Sequence, residues 1–369
     1  MNLPTTDVDE LGNRQHAGTT TDLPEVTITF QAMDVSIKLF AALTGTTTTP
    51  YPTAGVDINQ LGDIDVVAEI KDANLEDIAK SMHLRKCRIN GFTFTYSVDG
   101  EATEEYTAEG SDKRWLKYDV IIDTPAVSGT GPYTLSQTPI QLKNLDYLLS
   151  VIIDGVYFDE VTSGLGAGEY TYNGGTNQVT LGEAATSNVV LVYHANPAGT
   201  NWTDISDSTI PAAVRGKNIP VYLKANSIPR VQSLTIRGTL PVTRVEEMGN
   251  TEIVGYVTGV PMVEGDISVL DTDTELVALF ATGSLAPADT EFRGCEFTAS
   301  GISLLVEILN PSLACNTPSA SGVVLKTVYI PQVTITSDGH STNVGGNATQ
   351  TFAFRSTTGA CIVYSGNRN

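Results

Sequence analysis

The chain has 369 residues, 42 of them Asp or Glu against 21 Lys or Arg, for a formal net charge of -21. Hydrophobic residues at 41% and charged residues at 17% exclude a disordered polyelectrolyte, and the length suffices for two or three domains with cores of their own. So acidic a surface repels phosphates and anionic membranes, which argues against a protein that grips DNA or lies on a bilayer.

Residues 1–13 are polar and acidic, without the basic start and apolar stretch of an export signal. No apolar run approaches the ~18 residues of a membrane span. The expectation is folding in the cytoplasm, or joining a particle assembled there. In chain order, Val26 to Phe40 (VTITFQAMDVSIKLF) alternates and reads as strand. Within Asn74 to Met82, residues Leu75, Ile78, Ala79 and Met82 share one face at helical spacing, with Asp72 or Asn74 as cap, which predicts one short helix. Ile89 to Val98 is again strand, followed by a hairpin turn at Asp99 and Gly100 and a returning strand, TEEYTAE.

From about Thr124 to Pro211, short alternating runs are separated by turn signals at Asp154-Gly155 and Asn173-Gly174-Gly175. This segment reads as a small inserted β-sandwich displayed on the outer surface. Ala212 to Leu223 reads as a strand returning to the first domain. Thr327 to Ser337, a turn at Asp338 and Gly339, and TQTFAFR form a second hairpin.

The chain also repeats itself. Gly12, Asn13, Gly18 and Pro24 recur 237 positions later as Gly249, Asn250, Gly255 and Pro261. Leu39-Phe40-Ala41 matches Leu279-Phe280-Ala281, each with Thr-Gly after it, and IDVVAEI (from Ile64) matches ISLLVEI (from Ile302). FTFTYSVDG, ending at Gly100, lies over PQVTITSDG, ending at Gly339, and Thr103 to Tyr106 faces Thr349 to Phe352. Matched glycines and prolines imply matched turns, because both fix special backbone angles. The predicted fold is therefore all-β with one short helix. Residues 1–123 with 212–225 form a first β-barrel or sandwich, 124–211 the insert, and 226–369 a second barrel.

Chemistry is sparse. His16, His83, His194 and His340 make no metal motif and read as surface or turn residues. Cys87, Cys295, Cys315 and Cys361 have no metal spacing and read as buried or free thiols, with a Cys295–Cys315 disulfide as the alternative. Asp271 to Glu275 begins like a calcium loop, but Leu276 stands where its glycine belongs. Gly164 to Gly168 is a turn, not a phosphate cradle. No catalytic, cofactor or metal site is expected, and the chain reads as a non-enzyme.

VQSLTIRGTLPVTRVEEMGN with GVPMVEG, and the hairpin VDGEATEEYTAEG, resemble the major tail tube proteins of long-tailed, siphovirus-like viruses, over both copies and none of the insert. The acidity, with few lysines and many Thr, Asp and Val, also suits salt-loving archaeal hosts. Such proteins form rings whose strands join across subunits into one sheet lining a channel. Two domains per chain imply homotrimeric rings with pseudo-sixfold symmetry. The implied partners are further copies, tape-measure, tail-terminator and tail-tip proteins, and DNA in transit. The implied location is the virion tail, assembled in the host cytoplasm. The implied lumen residues are Asp99, Glu101, Glu104, Glu105, Glu109, Asp338, Gln350 and Arg355; the acids would repel passing DNA, with Arg355 against a uniformly negative lining. Loops with Thr46, Thr49, Tyr51, Asp57 and Asn59, and with Ser284, Asp289, Glu291 and Arg293, would reach the neighbouring ring. The competing reading is an adhesive or carbohydrate-binding β-protein, with Tyr157, Tyr170, Tyr172 and Trp202 as an aromatic platform.

Overall fold

The structure is a computed structural model. It describes residues 5–8, 18–21, 26–34, 37, 39–40, 43, 52–53, 55–71, 78–110, 112–116, 119–141, 147–154, 156–195, 213–248, 255–270, 275–284, 291–292, 302–311, 323–342 and 348–366. As predicted, the fold is all-β.

The first copy contains β1 (Thr5–Val8), β2 (Gly18–Thr21), β3 (Val26–Met33), β4 (Val56–Asp57), β5 (Asp63–Lys71), β6 (Ile78–Ser97), β7 (Thr103–Gly110) and β8 (Asp112–Leu116). The insert supplies β9 (Asp119–Asp123), β10 (Tyr133–Thr134), β11 (Leu148–Ile153), β12 (Val156–Glu160), β13 (Glu169–Asn173), β14 (Gln178–Leu181) and β15 (Val189–Ala195). Because β9 pairs with β15, the insert's sheet begins before residue 124, where the sequence reading ends the first domain. The remainder comprises β16 (Val221–Leu223), β17 (Asn226–Ser227), β18 (Val231–Thr239), β19 (Val242–Val245), β20 (Gly255–Thr258), β21 (Met262–Leu270), the helix α1 (Glu275–Thr282), β22 (Ile302–Leu309), β23 (Val324–Ser341), β24 (Thr349–Ser356) and β25 (Ile362–Ser365).

The repeat read in the sequence is a repeat of topology. The β1–β2 ribbon and the β19–β20 ribbon occupy matching positions in the two copies. In the first copy β5 pairs with β6, β6 with β7 and β7 with β3. In the second, β22 pairs with β23, β23 with β24 and β24 with β21 in the same way. The strand β18 has no counterpart among the described residues of the first copy. It pairs with β21 on one side and β6 on the other, joining the two copies into one large sheet. Alternation explains the strands: β7 and β21 are buried at every second residue, as a sheet with one wet face requires.

Two local expectations are corrected. Ile78 to Met82 lie in β6, not in a helix; Ser81 pairs with Glu69 and Met82 with Ala68, and strand pairing overrides a helical spacing only nine residues long. Residues 74–77 lie outside the described residues. The helix forms instead at the repeated Leu-Phe-Ala motif, as α1 and as helical backbone at Leu39, Phe40 and Leu43. Phe40, Leu279 and Phe280 are buried there, and Gly283, at φ +75, closes α1 by donating to the Leu279 carbonyl. Second, Asp338 and Gly339 are not a turn but pair with Phe352 and Thr351 inside the β23–β24 ladder. The sequence offset rises from 239 at Gly100 and Gly339 to 246 at Thr103 and Thr349, and the ladder continues past Gly339 to the Ser341–Thr349 pair.

The segment 213–223 touches both copies. Val214 accepts from the Ala102 amide and Arg215 bridges to Glu101 in the first, whereas β16 pairs with β22 in the second. The strand of the returning segment therefore adds to the second copy rather than the first. The insert forms its own seven-stranded sheet around Tyr133, Val151, Tyr170, Leu191 and Tyr193. Asp154, at φ 50, makes the predicted turn, its carboxylate accepting from the amides of Thr186, Ser187 and Asn188.

Candidate functional site

Seven strands run side by side in the order β3-β7-β6-β18-β21-β24-β23. Residues opposite one another across a sheet share a face. One row thus reads Gln31, Glu105, Thr93, Arg237, Glu264, Arg355 and Thr334 across all seven strands. Its neighbour reads Met33, Thr103, Thr95, Thr235, Asp266 and Ala353. This face is polar and solvent-accessible. The opposite face is core: Phe92, Phe94, Tyr106, Leu234, Ile236, Val263, Ile267, Phe352 and Phe354 are all buried. The joint made by β18 is as continuous in chemistry as in hydrogen bonding.

Two glycines let the aromatic layer close. A methyl on Gly238 would overlap the Phe92 ring, and one on Gly265 would meet the Thr235 carbonyl and the Phe354 ring. Phe94 and Tyr106 meet edge to face with centroids 6.3 Å apart, and Phe30 stacks on Tyr106 at 5.7 Å.

The residues expected to line a lumen divide. Glu105, Glu109 and Arg355 lie on the polar face, Glu109 accepting from Asn90 Nδ2 at 2.8 Å. Asp99 and Glu101 are exposed at the β6–β7 turn, and Asp338 is exposed on the outer part of β23. Glu104 and Gln350 are corrected: at 1% and 3% exposure both point into the core, because strand alternation sends them to the face opposite Glu105 and Thr351. The face is not uniformly negative either, since Arg237 pairs with Asp266 and Arg355 stands opposite Glu264.

Among the described residues, both ends of the row are open. Among the described residues, β3 pairs only with β7, and β23 beyond Val333 pairs only with β24. These are the edges that β18 satisfies inside the chain, where it covers β21, the counterpart of β3, and the outer half of β6, the counterpart of β23. Every neighbouring pair in the row is antiparallel, so its two ends run the same way.

The expected reaching loops are partly anchored. Asp57 caps a 3-10 turn by accepting from the Asn59 amide, Ile58 donates to the Cys361 carbonyl, and β4 pairs with β25 of the second copy. Burial, opposed by hydrogen bonds from the Asn59 and Cys361 backbone, raises the Asp57 carboxyl above its ordinary value. Asn59, Ser284 and Glu291 are exposed, whereas Thr46, Thr49, Tyr51, Asp289 and Arg293 lie outside the described residues.

Sequence reasoning missed an ionic hub where the insert docks. Asp65 accepts from Tyr157 Oη and the Lys86 amide, and contacts His83 Nε2 at 3.0 Å. Burial alone would raise Asp65, but the His83 contact and charge, with hydrogen bonds from Ser150 and Tyr157, lower it overall. His83 and His194 are buried, correcting their reading as surface residues; His340 is exposed, and His16 lies outside the described residues. The aromatic platform does not assemble: Tyr170 is core, Tyr157 serves the hub, Tyr172 packs on Tyr147 at 5.2 Å, and Trp202 lies outside the described residues. Among the described residues no group of acids, histidines and cysteines is placed to hold a metal ion.

No family model matches the chain, and no curated protein does. One solved structure, described as "Virion of native gene transfer agent (GTA) particle", is similar at a TM-score of 0.28 and 15% identity, covering 42% of this chain and 98% of that chain. At that TM-score the likeness carries no argument about function.

Proposed function

We propose that the chain is a structural subunit of a virion, and specifically of a tail tube. Three copies close edge to edge into a pseudo-sixfold ring, and rings stack around a channel through which the genome passes. The observation that supports this most is the seven-stranded row, polar on one face, built from two copies of one topology and open at both edges among the described residues. An open edge is an aggregation hazard in a monomer and is removed when a ring closes. The polar face would line the channel. Its mixture of Arg237 and Arg355 with Glu105, Glu264 and Asp266 offers DNA a wet surface without a basic patch to hold it. The partners would be further copies of the chain, with tape-measure, terminator and tail-tip proteins at the ends, in the tail of a virion assembled in the host cytoplasm. No activity on another molecule is proposed.

Negative-stain electron microscopy of the concentrated protein, at low and multimolar salt, tests this. Hollow rings or tubes with threefold or pseudo-sixfold end views are expected. Monomers that persist in both salts, even with particle-derived nuclei added, would overturn the reading.

A further inference from the structure

Lys326, in the second copy, is buried in contact with two acids of the first. Its Nζ lies 2.8 Å from Asp34 Oδ1 and 2.7 Å from Glu104 Oε2, and the three side chains are 0%, 0% and 2% exposed. The Phe94 ring packs against the nitrogen, 4.6 Å from its centroid. Tyr96 Oη donates to the other Asp34 oxygen at 2.8 Å, and Tyr106 Oη donates to Glu104 Oε2 at 3.1 Å. These contacts hold both carboxyl groups against the amine.

Such a site is costly as three ions. One ammonium cannot neutralise two carboxylates, and each ion has lost its water. Burial, the largest influence on both, pushes Glu104 up and Lys326 down; it prevails for Glu104, while for Lys326 the two carboxylates reverse it. A carboxyl group in hydrogen-bond contact with an amine in a water-excluded pocket, as Glu104 is with Lys326, is placed for proton transfer. An amine held against a carboxyl group, with a second carboxyl touching the amine, is also the reactant set of an amide condensation. Contact at this distance supplies the effective molarity that two free groups in water lack.

We propose that Lys326 and Asp34 condense into an intramolecular isopeptide bond, with Glu104 as the catalytic residue. Glu104 takes a proton from the Lys326 ammonium, and the freed Nζ lone pair attacks Asp34 Cγ to form the N–C bond. Glu104 then returns that proton, together with relay of a second from nitrogen, to one Asp34 oxygen. The C–O bond breaks with its electron pair and water leaves. Ammonium and carboxylate thus become one amide and one water, with no change of net charge, no redox step and no co-reactant. Glu104 ends as it began. The bond welds the first copy to the second, and it does not depend on the tube reading.

The test is the intact mass of the denatured full-length chain, with Lys326→Arg prepared in parallel so that processing of the termini cancels. Expected is a wild-type mass one water below its sequence mass, a Lys326→Arg mass without that deficit, and a branched peptide joining the segments of Asp34 and Lys326 after proteolysis. Glu104→Gln is expected to keep the uncondensed mass. Should that variant misfold, the wild-type mass and the branched peptide still decide. A folded wild-type chain, cooperative in denaturant, that carries its full sequence mass and yields only linear peptides would overturn the proposal and leave a buried ion cluster.

Discussion

The Tyr157 hydroxyl donates to the Asp65 carboxylate, fastening the insert to the first copy across 92 positions of sequence. Removing this contact by Tyr157→Phe leaves Asp65 with His83, Ser150 and the Lys86 amide, so the expected cost is about 1 kcal/mol. Asp65→Ala strands the fully buried His83 and is expected to cost about 3 kcal/mol, both read by urea denaturation. Because folding lowers the Asp65 pKa, its contribution is complete above the unfolded-state value near ~4 and is lost as pH falls through the lower folded-state value. The gap between wild type and Asp65→Ala should therefore hold from neutral pH down to about 4 and narrow below it.

Gly238 and Phe92 fit only because one has no side chain. Gly238→Val forces the ring out of the core layer and is expected to destabilise by about 3 kcal/mol, the upper range for overpacking. Combining it with Phe92→Ala should give a loss smaller than the sum of the two single changes, since both act on one volume. Additive losses in denaturant melts would show that the ring and the glycine are not competing for space.

Proline separates the open edge from the fold behind it. In β3 alternate amides point toward β7 and away from it. Proline at an outward-pointing position is expected to cost the monomer little, yet to abolish ring formation, because it removes a donor from the edge offered to a neighbour. Sedimentation velocity and microscopy on a proline scan from Thr27 to Ala32 check this. Unchanged assembly at every position would mean that β3 joins nothing.

Cys87 and Cys361 are free and buried, and burial raises both thiols, Cys87 to about 12. Neither should be alkylated by iodoacetamide at neutral pH in the native protein, and both should be after denaturation. Peptide mapping of modified cysteines reads this directly. Prompt native labelling of either would mean that its part of the core opens.

The duplication was legible because its matched blocks keep a nearly constant offset, and the ribbons and ladders that those blocks form recur in both copies. Alternation in TEEYTAE and VTITF gave the strands of the wet-faced sheet. The helix at Asn74 to Met82 was misread because a strand paired on both sides, as Ser81 to Leu84 are with β5 and β8, need not alternate cleanly. Glu104 was placed on the wet face because charge suggests exposure, yet its alternation with Glu105 already pointed inward. The two ionic clusters were invisible because their members lie far apart in sequence: Lys326 is 292 positions from Asp34. No local pattern marks such a pair.

The strand β18 has a kinetic consequence. By tethering one copy to the next, it makes their joint unimolecular, formed at an effective concentration of about millimolar whatever the amount of protein present. In the proposed ring the edges at β3 and β23 have no tether and would meet by diffusion. Such a ring would carry two sorts of seam, one that forms on dilution and one that waits for crowding, so folded subunits could accumulate before their closure.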